Sequence, residues 1–231
     1  MSNKDKKLSG REKERLRRQE KKRQQQRLWI FYTGVALLVV GGIAIFAFAN
    51  QPEPLTAAEI DQVNLARIDG PADAPVQIIE FGDFGCPACQ AWHNSRTKES
   101  IQANFGDQVA FTFLHFPVIT ADSPRAAEAS FCAAEQDLFW EYHDVIYEVG
   151  NGLGDDQLVS YATAAGLQTE PFTTCLRSGK YEQLVQDDLR EARGIGARGT
   201  PTFFVNGQLV ANPNAEVLAK MIFAELNPED G

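Results

Sequence analysis

Apolar and polar positions divide this 231-residue chain into stretches of different character. Residues 1–27 are charged and Gln-rich with almost nothing apolar, so they cannot build a core and are expected to be disordered or loosely helical. Leu28 to Ala49 then runs for 22 residues without a charge, including Trp29-Ile30-Phe31-Tyr32 and Val35-Ala36-Leu37-Leu38-Val39-Val40. That is long enough to cross a ~30 Å hydrocarbon core as a helix. Trp29 and Tyr32 fall near its start, where aromatic rings suit the membrane interface. Residues 50–74 carry Pro52, Pro54 and Pro71 with few large apolar side chains, and read as a linker with a short helix around Ala57–Leu65.

Residues 75–228 show the periodicities of a folded domain. Asp69-Gly70-Pro71-Ala72-Asp73 is a turn leading into Val76–Phe81, an apolar run of strand length. A helix is expected over Pro87–Asn104 and an aromatic-rich strand over Val109–Phe116. This β-α-β order makes the two strands parallel. Ser123-Pro124 is a helix start signal, followed by Ala126, Ala127, Phe131 and Ala134 at helical spacing. Further helices are expected over Phe139–Tyr147, from a cap at Asp155 to near Gly166, over Pro171–Leu176 and over Tyr181–Arg193, with Asn151–Gly154 as a break. The chain then returns through a Thr202–Val205 strand, an Asn206-Gly207 hairpin turn, a Gln208–Ala211 strand and a helix from Asn214 to Leu226. An all-helical insertion, about 121–195, thus separates strands of one sheet.

Charge sharpens the division. The chain carries a net −9, yet residues 1–27 hold 12 Lys/Arg against 4 Asp/Glu, leaving 10 against 27 for the rest. An acidic folded part argues against a nucleic-acid partner. The basic tail beside the apolar run reads as a cytoplasmic flank. The folded part then lies outside the cytoplasm, in a periplasm or at the cell exterior, where disulfides persist. A cleaved signal peptide is the alternative, because Ala47-Phe48-Ala49 offers a cleavage site. The long basic region and the length of the apolar run favour an uncleaved anchor over 28–49.

The candidate chemistry sits in Phe81-Gly82-Asp83-Phe84-Gly85-Cys86-Pro87-Ala88-Cys89. A C-x-x-C pair between a strand and a helix places Cys86 at the helix N-terminus, where backbone N–H groups and the dipole favour a thiolate. Pro87 suits the first helical position, and Cys89 is near enough to bridge to Cys86. Two alternatives are a purely structural bridge and half of a zinc site, since His93 completes C-x2-C-x3-H. A structural zinc site takes four ligands, usually as two spaced pairs, whereas Cys132 and Cys175 stand alone. His93 is expected on the surface, Asp83 solvated in its turn, and His115 and His143 carry no signal.

Glu80 is the unusual residue of the first strand, because an acid among apolar neighbours is costly unless paired or protonated. The alternative is a solvent-facing glutamate at a sheet edge. Cys132 and Cys175 both fall in the helical insertion, where an exported protein favours a bridge over two buried free thiols.

C-P-x-C after a strand, with Gly199-Thr200-Pro201-Thr202-Phe203-Phe204-Val205-Asn206-Gly207 about 110 residues later, resembles the DsbA-like branch of the thioredoxin superfamily, above all its membrane-anchored bacterial thiol:disulfide oxidoreductases. The resemblance covers roughly 66–227. It implies a thioredoxin-like α/β fold with an all-helical insertion, preceded here by one transmembrane helix. It further implies that Pro201 is cis and faces the disulfide, that Glu80 is the acid beneath Cys89, and that Thr200, Pro87 and Ala88 border the substrate. Relatives often carry a cysteine pair in the helical domain, which supports the Cys132–Cys175 bridge. The expected activity is disulfide formation in exported cysteine-containing proteins, with a quinone-linked membrane protein as reoxidant and with neither cofactor nor metal. A reductase or isomerase using the same residues is one alternative, and a non-enzymatic anchored binding module is another. Ala88 stands where the strongest oxidase of the family has histidine, which implies a weaker oxidant, and Thr200 leaves the direction of reaction open.

Overall fold

In the computed structural model, residues 10–49, 54–150 and 152–228 are described. The first nine residues of the tail, Asn50 and Pro52 of the expected linker, and Asn151 of the expected break lie outside them. The chain divides into two compact units, Met1–Gln51 and Pro52–Gly231. In the first unit, Gly10–Ala49 forms one helix, α1. The basic tail is therefore helical from Gly10 onward. Within α1, Lys21–Phe46 is long and apolar enough to cross a membrane, and Leu37, Leu38 and Ile45 are exposed.

The second unit begins earlier than residue 75. Helix α2 (Ala57–Ala66) is opened by a capping box in which the Thr56 hydroxyl accepts from Glu59 N and the Glu59 carboxylate accepts from Thr56 N. Its Val63 is buried in the core, so the expected linker is part of the folded unit. A two-residue strand, β1 (Ile68–Asp69), follows, too short for any alternation to reveal. It forms because β3 (Val109–His115) has an open edge: Ile68 pairs with Thr112 and Asp69 with Phe111, antiparallel.

The central strand is β2 (Val76–Gly82). It runs parallel to β3 in the register Val76 to Val109 through Gly82 to His115, and antiparallel to β4 (Thr202–Val205). The sheet order is β1-β3-β2-β4-β5, closed at one edge by β5 (Gln208–Leu209). β5 is shorter than expected, although Val210 N still donates to Phe203 O. Asn206 and Gly207 take positive φ of 45° and 81°, the backbone an Asn-Gly hairpin turn needs.

The expected helix over Pro87–Asn104 is two helices, α3 (Pro87–Asn94) and α4 (Thr97–Phe105). The break falls at Arg96, whose φ is 56°. Ser95 Oγ donates back to Trp92 O at 2.6 Å and contacts Thr97 Oγ1 at 2.7 Å, so local side-chain bonds compete with the helical ladder. Five helices form the insertion: α5 (Ser123–Ala134), α6 (Phe139–Val149), α7 (Asp155–Ala164), α8 (Thr169–Ser178) and α9 (Glu182–Gly194). Asp155 does not cap α7; the cap is Gly154, and the Asp155 carboxylate accepts from Arg125 instead. Cys132 of α5 and Cys175 of α8 are joined by a disulfide. The chain closes with α10 (Ala215–Leu226), capped by Asn214 accepting from Val217 N.

Three clusters make the core. Val76, Ile78, Val109, Phe111 and Phe203 pack one sheet face against α4 and α10. Phe81, Leu114 and Phe204 pack the other face against Ala192 of α9. The largest cluster fills the insertion and reaches Phe84, Cys86, Cys89 and Phe113, so the helical layer rests directly on the cysteine turn.

Candidate active site

The cysteine turn is built where β2 ends. Asp83, expected to be solvated, is buried and organises this corner. Its Oδ1 accepts from Gly85 N at 2.7 Å, and its Oδ2 accepts from Val118 N and Ile119 N at 2.7 and 2.8 Å. Its carbonyl accepts from Cys86 N at 2.9 Å. Asp83-Phe84-Gly85 is thus an Asx-turn, a signal present in the sequence as Asp-x-Gly. One carboxylate ties the turn before the cysteines to the loop after β3. Gly82 is required by close approach, since a Cβ there would lie 2.4 Å from the Phe113 ring.

Cys86 is the N-cap of α3, with Pro87 at the first helical position. Its pKa is lowered to about 5. The largest cause is the Cys89 thiol donating to the Cys86 sulfur, with the Thr200 hydroxyl and the amides of Cys89 and Ala88 adding donors against the opposing effect of burial. Cys89 is fully buried, and its pKa is pushed up, first by that same bond to Cys86, then by burial and by the charge of Glu80. Near neutral pH these shifts leave the pair one proton, on Cys89. Both are free in this structure. Pro87 and Ala88 are exposed above them.

The second stretch closes over the pair. The Thr200–Pro201 peptide is cis. As a thiol, Cys86 Sγ donates to Thr200 O at 3.3 Å. The Thr200 hydroxyl is buried without a hydrogen-bond partner, which leaves it free for the thiolate. A groove of about 330 Å³ runs beside Cys86, bordered by Phe84, Pro87, Gln90, Ile146 and Leu153.

Glu80 lies on the central strand, in register between Phe113 of β3 and Phe203 of β4, and not at an edge. Burial raises its pKa to about 8, and the nearby Lys98 only partly offsets this. The carboxyl is therefore largely protonated at neutral pH, close enough to Cys89 to act on its titration. Tyr147 joins this buried ground: its hydroxyl is held protonated, first by burial and then by Cys89, Glu80 and Asp83. Nothing in the local sequence marks Tyr147, because α6 brings it to the site from 58 residues beyond Cys89.

His93 is not on the surface. It is buried, stacks on Tyr147 and points Nδ1 toward Asp144 at 3.8 Å. The other two histidines are also internal. His115 Nε2 bonds with Ser130 Oγ at 2.9 Å, and His143 packs against Phe113 and Trp140.

A thioredoxin family profile matches residues 65–224. A probable disulfide bond formation protein D from Bacillus anthracis is 30% identical over 204 residues, which cover 83% of this chain and 92% of that protein. The first curated relatives are Na(+)/H(+) antiporters NhaA; that of Herminiimonas arsenicoxydans is 35% identical over 156 residues, 68% of this chain. The chain spans only 24% of that relative's length. Among solved structures, oxidised BdbD from Bacillus subtilis aligns with a TM-score of 0.64 and 27% identity, covering 70% of this chain and 92% of that one. DsbA from Chlamydia trachomatis aligns with a TM-score of 0.63 and 20% identity over 71% of this chain and 92% of its own, a likeness of fold.

Proposed function

The chain belongs to the thioredoxin-like family of DsbA- and BdbD-type thiol–disulfide oxidoreductases, and from that premise we propose that it catalyses disulfide formation in exported proteins through Cys86 and Cys89. The observation that carries the reading is the split between the two thiols: one lowered to about 5 at a helix end beside a groove, the other buried and held protonated. That split separates an attackable, good leaving sulfur from a resolving one.

In the oxidised enzyme a substrate thiolate attacks the Cys86 sulfur. A substrate–Cys86 bond forms, the Cys86–Cys89 bond breaks, and Cys89 leaves with the electron pair. Its high pKa means that this sulfur takes up a proton, and the protonated Glu80 carboxyl is the buried donor nearby. A second substrate thiolate then attacks the substrate sulfur of the mixed disulfide, and Cys86 departs as the stabilised thiolate. Two electrons have passed from two substrate thiols to the cysteine pair. A quinone-linked membrane protein takes them up and restores the bridge. Pro201 and Thr200 border the bound substrate on one side, and Pro87 and Ala88 on the other. The apolar half of α1 anchors the enzyme, with the basic tail cytoplasmic and the catalytic domain outside.

Equilibrating the full chain in glutathione buffers tests the direction of reaction. A potential between about −270 mV for thioredoxin and about −120 mV for DsbA supports the oxidase. A value at or below thioredoxin's makes this a reductase with the same residues. For the anchor, protease added outside intact cells should remove the catalytic domain and spare a fragment near residues 1–50; release of an anchor-free domain would point to cleavage after Ala49.

A further inference from the structure

We propose that His93, His143 and Asp144 form a binding site for a divalent transition-metal ion, Zn²⁺ by ligand chemistry, between the redox helix α3 and the insertion helix α6. Each residue offers one ligand atom, and the three atoms lie within 4.8 Å of one another. His143 Nδ1 is 2.8 Å from Asp144 Oδ1, and His93 Nδ1 is 3.8 Å from the same oxygen. Four-coordinate zinc at its usual bond lengths sets neighbouring ligand atoms about 3.3 Å apart, so small side-chain rotations suffice.

The two imidazoles face each other edge to face, with ring centroids 5.5 Å apart. Both rings are more than nine-tenths buried, which shelters the Nδ1 side of the site from bulk water. Without metal, His143 Nδ1–H donates to Asp144. With metal, that proton moves to Nε2 and the Nδ1 lone pair turns to the ion, so no proton need be lost.

Lys98 is paired with Asp69 at 2.6 Å and lies over the Trp140 ring, though its charge is still felt at His143 and Asp144. Arg96 is paired with both Glu99 and Glu148. Among the described residues, the ion-pair neighbours of Asp144 are the two histidines alone. Its side chain is 36% exposed, which gives the ion a way in and a fourth position for water. Two imidazoles with one carboxylate select a borderline transition metal over Mg²⁺ or Ca²⁺, which take oxygen ligands. An ion here would tie α3, one turn past Cys89, to α6.

The test is titration of the full chain in detergent with Co²⁺, then displacement by Zn²⁺, with Cys86–Cys89 oxidised so that no thiolate competes. The expected result is one equivalent of Co²⁺ with the visible absorption of a tetrahedral site, lost on adding Zn²⁺. Asp144→Asn and His93→Gln should each weaken binding by at least about 10-fold, the loss that even an outer-shell partner gives. Asp144 is partly exposed, so its variant should keep the wild-type melting profile. Absence of stoichiometric binding in the wild type, or equal binding in both variants, overturns the proposal.

Discussion

Cys86 Sγ lies 3.3 Å from the carbonyl oxygen of Thr200, a residue 114 positions further along the chain. That contact brings the two halves of the thioredoxin layer together across the whole helical insertion. It also sets up a choice. The carbonyl serves the thiol, whereas the buried Thr200 hydroxyl serves the thiolate. Thr200→Val keeps the shape and removes only the second. The Cys86 pKa should rise and the reduction potential fall together, by about 30 mV for each pKa unit in a two-electron couple. An unchanged pKa in thiolate absorbance titrations would show that the hydroxyl does not reach the sulfur.

The split between the thiols predicts a pH profile. Alkylation of the reduced protein should occur at Cys86 alone, with a midpoint near pH 5, because Cys86, though buried to 5% exposure, lines the groove, whereas Cys89 has no exposure. The stability sign follows from a depressed pKa. The contribution of Cys86 is fully present above the ordinary thiol range and is lost as pH falls through about 5. Mass spectrometry finding equal labelling of the two cysteines would reverse the assignment of roles.

Glu80 has the opposite sign. Its folded pKa is raised to about 8, so its favourable contribution is complete below the ordinary carboxyl range and is lost as pH rises through 8. Glu80→Gln removes that loss. The variant should gain stability over the wild type progressively between pH 5 and pH 8, read from urea melts. It should also exchange more slowly, by up to about 100-fold, because an amide cannot supply the Cys89 proton. Equal rates would remove Glu80 from the relay.

Legibility in the sequence followed the length of each signal. Cys86-Pro87-Ala88-Cys89 and the stretch around Pro201 are compact motifs with local meaning, and the fold they imply is the one observed. The β2-α3-β3 order and the Asn206-Gly207 turn were readable for the same reason. What escaped depended on tertiary partners. β1 has two residues and exists because β3 offers an edge. Val63 makes the expected linker part of the core. Asp83 looks like a surface turn residue until the two distant amides of Val118 and Ile119 are counted on it beside the local one of Gly85. His93 lies on a short helix whose buried side is set by α6, so its own neighbours in sequence gave no sign of burial.

The Cys132–Cys175 bridge lies in the same core cluster as the active pair but joins α5 to α8. It closes a loop of 43 residues in sequence separation, worth roughly 4 kcal/mol on the chain-entropy account. Replacing both with Ala should lower the melting temperature while leaving exchange at Cys86 largely intact. A loss of turnover matching the loss in a Cys86→Ala variant would instead place the bridge in the electron path.

Oxidising strength should be set largely between the cysteines. The more stable the reduced form, the stronger the oxidant, and the reduced form rests on the Cys86 thiolate. Helix amides and the Cys89 thiol already lower the pKa of that sulfur, and the buried, unpaired Thr200 hydroxyl stands beside it. Ala88 adds only its backbone amide, and its exposed side chain leaves room for a larger one. Ala88→His places a polarisable ring beside the sulfur without disturbing the buried residues beneath. The Cys86 pKa should drop below about 5 and the potential should rise with it, toward the DsbA end of the scale at about −120 mV. Because one pKa unit corresponds to about 1.4 kcal/mol, or about 30 mV here, a modest shift is measurable in glutathione buffers. A potential that stays fixed while the pKa drops would mean that the oxidised form is stabilised equally. An unchanged pair of values would mean that the donors around Thr200 and the helix end, not the dipeptide, set the poise.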